Sequence, residues 1–201
     1  MACDFFQLAT PGVAGLQAYQ PGKPTEELER ELGIKNIVKL ASNENPLGAA
    51  PAVVDKLSCI RDYSRYPDGN GFALKRTLSE FHTVDIQQIT LGNGSNDILE
   101  LLARAFVNPG DEVVFSEHAF AVYPIATRAV SGKPVVVPAK EWGYDLNGIL
   151  AAITERTRLI FIANPNNPTG TWLSKDELEP FLKAVPEHVI VVMDEAYLNT
   201  V

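Results

Sequence analysis

The sequence predicts an α/β protein: a mostly parallel sheet flanked by helices, with an N-terminal arm. From residue 89 onward, short apolar runs alternate with segments of helical spacing, and that alternation is typical of β–α–β units with right-handed crossovers. The last run, Val189–Met193, holds five consecutive apolar residues, four of them β-branched, and it stops at Asp194 and Glu195. Such a run predicts a strand buried on both faces of the sheet.

Size and composition restrict the class of protein further. The chain has 201 residues with 46% apolar and 21% charged residues, as in ordinary globular domains. The net charge of −8 argues against nucleic acid or an anionic membrane as the main partner. No apolar run approaches the roughly 18 residues of a membrane span. Cysteine and histidine spacing predicts neither a disulfide framework nor a metal site, and the first residues lack a leader pattern, so we expect a cytoplasmic protein.

The N-terminal part predicts an irregular arm followed by short elements. Proline and glycine punctuate the first 36 residues, and Thr25 can cap a helix that ends at Gly33. Farther on, one apolar run has the length of a short strand, and two segments carry apolar residues at helical spacing. The predicted elements are a helix over 26–32, a strand over 37–40 and helices over 51–60 and 72–81.

The remainder of the chain predicts strands and helices in regular alternation. A proline is tolerated in the first turn of a helix, as Pro124 would be. Ser174 and Glu177 form the pattern of a capping box. The predicted strands are 89–91, 112–115, 134–137, 159–163 and 189–193, and the predicted helices are 97–106, 119–130, 146–153 and 174–185.

Gly92–Asn96 joins a predicted strand to a predicted helix. Glycines permit a close approach of the backbone to a ligand, and the first turn of a helix offers unpaired N–H groups to an anion such as phosphate. The pattern is neither a dinucleotide fingerprint nor a P-loop. The alternative is a tight turn in which Ser95 or Asn96 caps the helix.

A second motif, Asn164–Gly170, follows a buried strand and precedes the one that ends at Asp194. Two prolines and a glycine restrict this turn, so that one amide of Asn166 or Asn167 can be held over the strand end; a plain loop is the alternative. A carboxylate such as Asp194 is costly at a buried strand end without a cationic partner, unless it lies in a solvated loop or caps a helix.

These strand ends converge on one edge of a parallel sheet, where open α/β sheets bind ligands. A ligand that carries a phosphate, a cationic nitrogen and a hydroxyl would satisfy the helix start, Asp194 and Asn167 together. Pyridoxal 5′-phosphate carries these three groups.

Five motifs follow one another along the chain: SNENPLG at 42–48, RYPDG at 65–69, GNGSN at 92–96, NPNNPTG at 164–170 and MDEAY at 193–197. In this order they resemble the motifs of the fold-type I pyridoxal-phosphate aminotransferases, and within them the branch that acts on histidinol phosphate. The resemblance implies that residues 1–60 form an arm and part of a small domain. Residues 61–201 would then form an incomplete cofactor-binding large domain.

The resemblance also implies a role for each cofactor-facing residue. Asp194 would pair with the protonated pyridine nitrogen. Asn167 and Tyr197 would hydrogen-bond the phenolic oxygen of the ring, and we take Asp194 and Tyr197 as the catalytic candidates. Ser95 and Asn96 would hold the phosphate.

Further residues follow from the same resemblance. Phe120 would stack on the cofactor ring, although a core aromatic is the competing interpretation. Tyr66 would reach the phosphate of the partner subunit, which makes a homodimer necessary. The candidate substrate contacts are Tyr19, Asn43 and Asn45.

The implied reaction transfers an amino group from histidinol phosphate to 2-oxoglutarate and yields imidazole-acetol phosphate and glutamate. The lysine that forms the Schiff base is expected after Val201, because Lys133, Lys140, Lys175 and Lys183 lie in connections or on the polar face of a helix. We therefore expect the 201-residue chain to be inactive alone.

Other functions stay open on the sequence. The same fold could serve an aromatic amino-acid aminotransferase or a phosphothreonine decarboxylase. A non-catalytic binding module on this scaffold would also fit the motifs. A generic nucleotide-binding protein is a weaker alternative, since the chain lacks a nucleotide fingerprint.

Overall fold

A computed structural model describes residues 8–61 and 63–198. The chain forms two compact units, one spanning Gln20–Ile89 and the other comprising the residues on either side of it. This division does not test the domain boundary that we place at residue 60, and that boundary stays a prediction. The helices are α1 (Pro11–Ala14), α2 (Thr25–Leu32), α3 (Pro51–Ser58), α4 (Phe72–His82), α5 (Ser95–Phe106), α6 (Val122–Ala129), α7 (Leu146–Ala151) and α8 (Lys175–Ala184).

A four-stranded parallel sheet forms the centre of the larger unit. Its strands are β1 (Glu112–Ser116), β2 (Lys133–Val137), β3 (Thr157–Ala163) and β4 (Ile190–Asp194), in the order β2-β1-β3-β4. The register places Ala163 opposite Asp194 and Ser116 opposite Val137, so the carboxyl ends of the strands share one edge. The prediction of a mostly parallel sheet is confirmed.

Helices cover both faces of this sheet because alternate residues of each strand point to opposite sides. On one face, Leu99 and Tyr123 from α5 and α6 pack with Phe161 of β3. On the other, Ile149 and Phe181 from α7 and α8 pack in a second cluster with neighbouring strand residues. The layered α/β architecture predicted from the alternation is therefore confirmed.

Strand β4 differs from its prediction. The prediction was a strand buried on both faces, and Val192 packs against the first cluster while Val191 and Met193 pack against the second. However, β4 pairs with β3 alone, so it is an edge strand of the described sheet. Val189 is buried, Ile190 is exposed and the following residues are half-buried. A β-branched apolar run favours a strand but does not determine whether both of its edges have neighbours.

Two other predicted strands are wrong. Residues 37–40 and 89–91 belong to no strand of the described sheet, and Ile89, although extended, directly follows a short 3₁₀ helix at Ile86–Gln88. Runs of three or four apolar residues become strands only where a neighbouring strand supplies hydrogen bonds. The β propensity of the run does not reveal whether such a strand is present.

The smaller unit contains α2, α3, α4 and the 3₁₀ helix, and none of these helices buries a residue. The Asp68 carboxylate accepts hydrogen bonds from the backbone N–H groups of Asn70 and Phe72, both at 2.9 Å, and this closes the turn that leads into α4. The bond from Phe72, and then the one from Asn70, lowers the pKa of the Asp68 carboxyl. In the described residues no helix has the length and apolar character that crossing a membrane requires.

Candidate functional site

Asp194 ends β4 at the carboxyl edge of the sheet and is half-buried. Its Oδ2 accepts a hydrogen bond from the hydroxyl of Tyr123 at 3.0 Å, and its Oδ1 accepts one from the N–H of Ala196 at 3.3 Å. Within residues 8–61 and 63–198, no lysine, arginine or histidine pairs with this carboxylate. Its remaining lone pairs can therefore accept a hydrogen bond from a cationic ligand.

Tyr123 is the residue of this site that the sequence did not reveal. It is fully buried in α6, and its ring stacks on Phe161 with centroids 4.8 Å apart. Burial, and secondarily the charge of Asp194, raises the pKa of the phenol far above its ordinary value. The hydroxyl therefore stays protonated and acts as a donor to Asp194. An aromatic residue on a helix usually indicates only core packing, so the sequence provides no reason to place the Tyr123 hydroxyl beside Asp194.

Phe120 lies just before α6 and is half-buried. Its ring meets that of Tyr123 edge-on at 5.9 Å, and the ring of Tyr19 approaches it at 6.3 Å. The arm reaches this position because α1 lies close to α6: a Cβ on Gly12 would come within 2.1 Å of the carbonyl oxygen of Arg128. Phe120 packs partly against the core and keeps part of its ring accessible.

The motif at 164–170 forms a fixed turn after β3. Asn164 anchors it, since its Nδ2 donates to the carbonyl of Leu173 at 3.0 Å and its Oδ1 accepts from the N–H of Leu173 at 2.7 Å. The peptide bonds before Pro165 and Pro168 are cis. The sequence predicted that the amide of either Asn166 or Asn167 is held over the strand end. In the structure the amide of Asn166 is buried within a polar network, and Asn167 is half-buried at the surface of the site.

Asn167 and Tyr197 come together from the loops that follow β3 and β4. The Nδ2 of Asn167 lies 3.4 Å from the hydroxyl of Tyr197, at the long end of the hydrogen-bond range. Both side chains are half-buried. A ligand oxygen between the amide and the hydroxyl would meet two donors, as the predicted pairing with a phenolic oxygen requires.

Helix α5 begins at Ser95 with Gly94 in the N-cap position at φ 78°, and no side chain caps it. The alternative in which Ser95 or Asn96 caps the helix is therefore wrong. A Cβ on Gly92 would come within 2.9 Å of the Cβ of Asp97, so the turn requires glycine there. The side chains of Ser95 and Asn96 remain available to a ligand, as do the N–H groups of the first turn.

The direction of α5 places this helix start near the other site residues. Residues 107–111 connect its end directly to the beginning of β1 at the amino edge of the sheet. A helix of 12 residues spans about 18 Å. Because α5 packs along the sheet through Leu99 and Ala103, its first turn points toward the carboxyl edge, as the phosphate interpretation expects.

Three predicted site residues belong to the smaller unit. Tyr66 is fully exposed. Asn45 stabilises its own turn, because its Oδ1 accepts from the N–H of Leu47 at 3.0 Å and its Nδ2 donates to the carbonyl of Gly48 at 3.3 Å. Asn43 adopts a positive φ of 51° in the preceding turn.

The larger unit thus brings together Asp194 with Tyr123, Phe120 with Tyr19, and Asn167 with Tyr197. An uncompensated carboxylate, an amide beside a hydroxyl, an accessible aromatic ring and a helix start are the groups that pyridoxal 5′-phosphate would require. The residues present fit that cofactor. They show no metal-binding group of three or more ligands within the described ranges.

Comparison with known proteins agrees with this arrangement. Residues 35–201 match the family model described as "Aminotransferase class I and II". The chain is 62% identical to histidinol-phosphate aminotransferase 2 of Pseudomonas fluorescens Pf-5 and 60% identical to the enzyme of that name from Pseudomonas aeruginosa, over 99% and 98% of this chain. A crystal structure of histidinol-phosphate aminotransferase from Sinorhizobium meliloti in complex with pyridoxal-5'-phosphate superposes with a TM-score of 0.84 at 30% identity over 95% of this chain.

The match covers only part of these relatives. The chain spans 55% and 54% of the two Pseudomonas proteins and 51% of the Sinorhizobium chain. The family model nevertheless matches most of the chain, and the fold and the strand-end motifs agree with it. The chain therefore belongs to the class I and II aminotransferase family.

Proposed function

We propose that the full-length protein is a pyridoxal-phosphate-dependent aminotransferase that acts on histidinol phosphate. It would transfer the amino group to 2-oxoglutarate and form imidazole-acetol phosphate and glutamate, as a cytoplasmic homodimer in histidine biosynthesis without nucleic-acid or membrane partners. The choice of substrate is supported by the names of relatives that are 54–62% identical to this chain. The choice of cofactor is supported by the geometry of the strand ends.

The observation that carries the proposal is the Asp194 carboxylate, which is half-buried and meets no cationic side chain among residues 8–61 and 63–198. The cofactor would supply an electron sink for the amino acid bound to it. Asp194 would hold the proton on the ring nitrogen, because a negative carboxylate favours the protonated form of a neighbouring base. Tyr123 would keep that carboxylate in place by donating to Oδ2.

The other residues would bind and orient the cofactor. Asn167 and Tyr197 would donate hydrogen bonds to its phenolic oxygen. Ser95 and Asn96, with the N–H groups of the first turn of α5, would hold its phosphate. Phe120 would cover one face of its ring and exclude water from it. Tyr66 would reach the phosphate from a second copy of the chain, and the proposed substrate contacts are Tyr19, Asn43 and Asn45.

We place the Schiff-base lysine outside the 201 residues, in the part of the relatives that this chain does not span. Two lysines of the larger unit are engaged elsewhere: the Nζ of Lys175 lies 3.3 Å from Glu179 on α8, and the Nζ of Lys133 lies 2.9 Å from Glu112 at the amino edge of the sheet. The domain division at residue 60 and the assignment of each site residue belong to the same proposal.

The test uses the full-length protein, measured for pyridoxal phosphate binding by absorbance and for amino transfer from histidinol phosphate to 2-oxoglutarate. In Asp194→Asn we expect weaker cofactor binding and a rate of amino transfer lower by about 100-fold or more, since a preorganised charge is lost. The matched control is Glu187→Gln, which removes an exposed carboxylate in the turn before β4, at the amino edge of the sheet, and should leave both measurements unchanged.

Each contrary result points to a different alternative. Absence of cofactor binding in the wild-type protein would remove the enzyme assignment and leave a binding module. Turnover of aromatic amino acids but not of histidinol phosphate would show an aromatic aminotransferase. Release of CO₂ from phosphothreonine would show a decarboxylase.

A further inference from the structure

We propose that Tyr144 and Asn166 form a polar clamp that fixes the spacing between two loops of the site, the loop that carries Phe120 and the loop that carries Asn167. Tyr144 was not predicted as a member of the site, and Asn166 was named only as an alternative to Asn167 for the amide held over the strand end. Both would act as positioning residues, through the loops that they join. The part of the inference that concerns the cofactor rests on the proposed function.

The clamp crosses three separate segments of the chain. The hydroxyl of Tyr144, just before α7, donates to Oδ1 of Asn166 at 3.0 Å. The Nδ2 of Asn166 donates to the carbonyl of His118 at 2.9 Å and to the hydroxyl of Thr169 at 2.7 Å. The loop after β1, the loop after β3 and the segment before α7 are thereby joined at one amide group.

The hydrogen bonds also fix the orientation of that amide. The hydroxyl of Tyr144 accepts from the N–H of Ala163, the last residue of β3, at 2.8 Å, so its own proton must go to an acceptor. If the amide of Asn166 were reversed, its oxygen would face the carbonyl oxygen of His118. Two acceptors would then oppose each other, and the hydroxyl proton of Tyr144 would lose its partner.

Burial makes the clamp stiff. Asn166 is 5% exposed and Tyr144 is 9% exposed, so water cannot readily replace a lost partner. Burial raises the pKa of the Tyr144 phenol far above its ordinary value, and the hydroxyl therefore remains a donor at physiological pH. A fully satisfied buried network of this kind holds its members in one arrangement.

The position of the clamp connects it to the site. Asn166 directly precedes Asn167, and His118 lies two residues before Phe120. In the proposed function Asn167 meets the edge of the cofactor ring and Phe120 covers its face. The hydrogen bond from Asn166 to His118 thus links the segments that carry these two contacts.

The first test measures hydrogen–deuterium exchange in the full-length protein without added cofactor. In Tyr144→Phe we expect faster exchange at 117–120 and at 164–171 together. In Asn166→Asp the effect should be larger, because a carboxylate cannot donate to His118 or Thr169. The matched control is Thr154→Val, which removes a hydroxyl that donates to the buried carboxylate of Glu112 at the opposite edge of the sheet. Faster exchange at 164–171 alone, with the exchange at 117–120 unchanged, would show that the clamp does not join the two loops.

The second test measures the dissociation constant for pyridoxal phosphate and the visible circular dichroism of the bound cofactor. We expect about a three- to tenfold rise in the dissociation constant for Tyr144→Phe, because the loss of the hydroxyl's bonds to Asn166 and Ala163 loosens the loops that would hold the cofactor, and a smaller dichroic signal per bound cofactor. Thr154→Val should change neither. Wild-type affinity and dichroism in Tyr144→Phe would show that the clamp does not position the cofactor.

Failure of the proposed function would give a different result. If the wild-type protein did not bind pyridoxal phosphate, the proposed function would fall, while the exchange measurement would still decide whether the clamp joins the two loops.

Discussion

At the scale of single residues, the site depends on which groups contact the Asp194 carboxylate. The sequence suggested a cationic partner, and the structure supplies a buried phenol instead. The Tyr123 hydroxyl donates to one oxygen of the carboxylate and brings no positive charge, so Asp194 still has lone pairs for a cationic ring nitrogen.

Replacement of Tyr123 by Phe tests this arrangement through stability. At pH 7 we expect the free energy of unfolding to fall by about 1–2 kcal/mol, because Oδ2 of Asp194 loses its donor. The pKa of Tyr123 is raised above the ordinary 10.0. The contribution of this phenol to the free energy of unfolding is therefore complete below pH 10 and is lost as the pH rises further. Measured by urea unfolding, the free energies of unfolding of the wild type and Tyr123→Phe should therefore become more similar above pH 10.

Tyr63→Phe is the control, since the hydroxyl of this exposed residue donates only to the carbonyl of Ile60, at 3.2 Å. If the free energies of unfolding of the wild type and Tyr123→Phe differed by the same amount from pH 7 to 11, the interpretation of Tyr123 as a buried, protonated phenol would be wrong.

The residues that the sequence revealed and those it missed differ in a physical way. Asp194 and Asn167 interrupt or follow apolar runs, and their polarity at a strand end stands out. Tyr123 and Tyr144 are aromatic residues in ordinary surroundings, and only the folded chain shows that their hydroxyls reach Asp194 and Asn166. Long-range partners of this kind, 71 and 22 residues apart, leave no local pattern.

At the scale of elements, the two edges of the sheet have different tasks. The carboxyl edge carries the candidate site, and the amino edge carries a cluster in which exposed side chains contact the buried carboxylate of Glu112. Glu112, which begins β1, accepts hydrogen bonds from Thr154 at 2.6 Å, Lys133 at 2.9 Å and Arg156 at 3.2 Å. These contacts join the beginnings of β1 and β2 to the turn before β3.

Glu112→Gln should weaken this edge in a pH-dependent way. The hydrogen bond from Thr154, and then that from Lys133, lowers the pKa of Glu112 below its ordinary 4.5. Its contribution is therefore present above pH 4.5 and is lost as the pH falls through the lowered value. At pH 7 we expect a loss of about 1–3 kcal/mol in the free energy of unfolding, and a shallower decline in acid than for the wild type.

Glu100→Gln serves as the control because Glu100 and Arg104 form an exposed pair on α5, with 3.1 Å between their charged atoms. Such pairs contribute about 0.5 kcal/mol or less. Equal losses in Glu100→Gln and Glu112→Gln would indicate that the cluster contributes no more than a surface pair.

The elements themselves were predictable where many local signals agreed. Ser174 and Glu177 formed the expected capping box, with the Ser174 N–H donating to Oε2 of Glu177 at 2.9 Å. The failures at 37–40 and in the burial of β4 have one cause. Pairing and burial in a sheet are set by neighbours from elsewhere in the chain, and a short apolar run contains no information about them.

At the scale of the whole molecule, the smaller unit leaves apolar side chains exposed. Its helices bury none of their side chains, and large apolar residues such as Leu57 and Phe81 are exposed. The candidate phosphate ligand Tyr66 is fully exposed in the same unit. Exposed apolar surface of this extent is typical of an interaction surface. A second copy of the chain, as the proposed function requires, would cover it.

A shared site makes a specific prediction for hybrid dimers of the full-length protein. Asp194→Asn and Tyr66→Ala should each abolish most of the amino transfer from histidinol phosphate. If each site takes Asp194 from one subunit and Tyr66 from the other, a hybrid dimer contains one site with neither substitution and one site with both. Random assembly on co-expression should then restore about a quarter of the wild-type activity per site.

The control is co-expression of Asp194→Asn with Asn167→Ala. Both residues belong to the larger unit of one chain and would serve the same site, so each site of the hybrid carries one substitution and no activity should return. Recovery in the first pair but not in the second requires that Tyr66 act across the subunit interface. If neither pair recovers although hybrids are isolated by two affinity tags, Tyr66 acts within its own subunit or not at all, and the shared site is wrong.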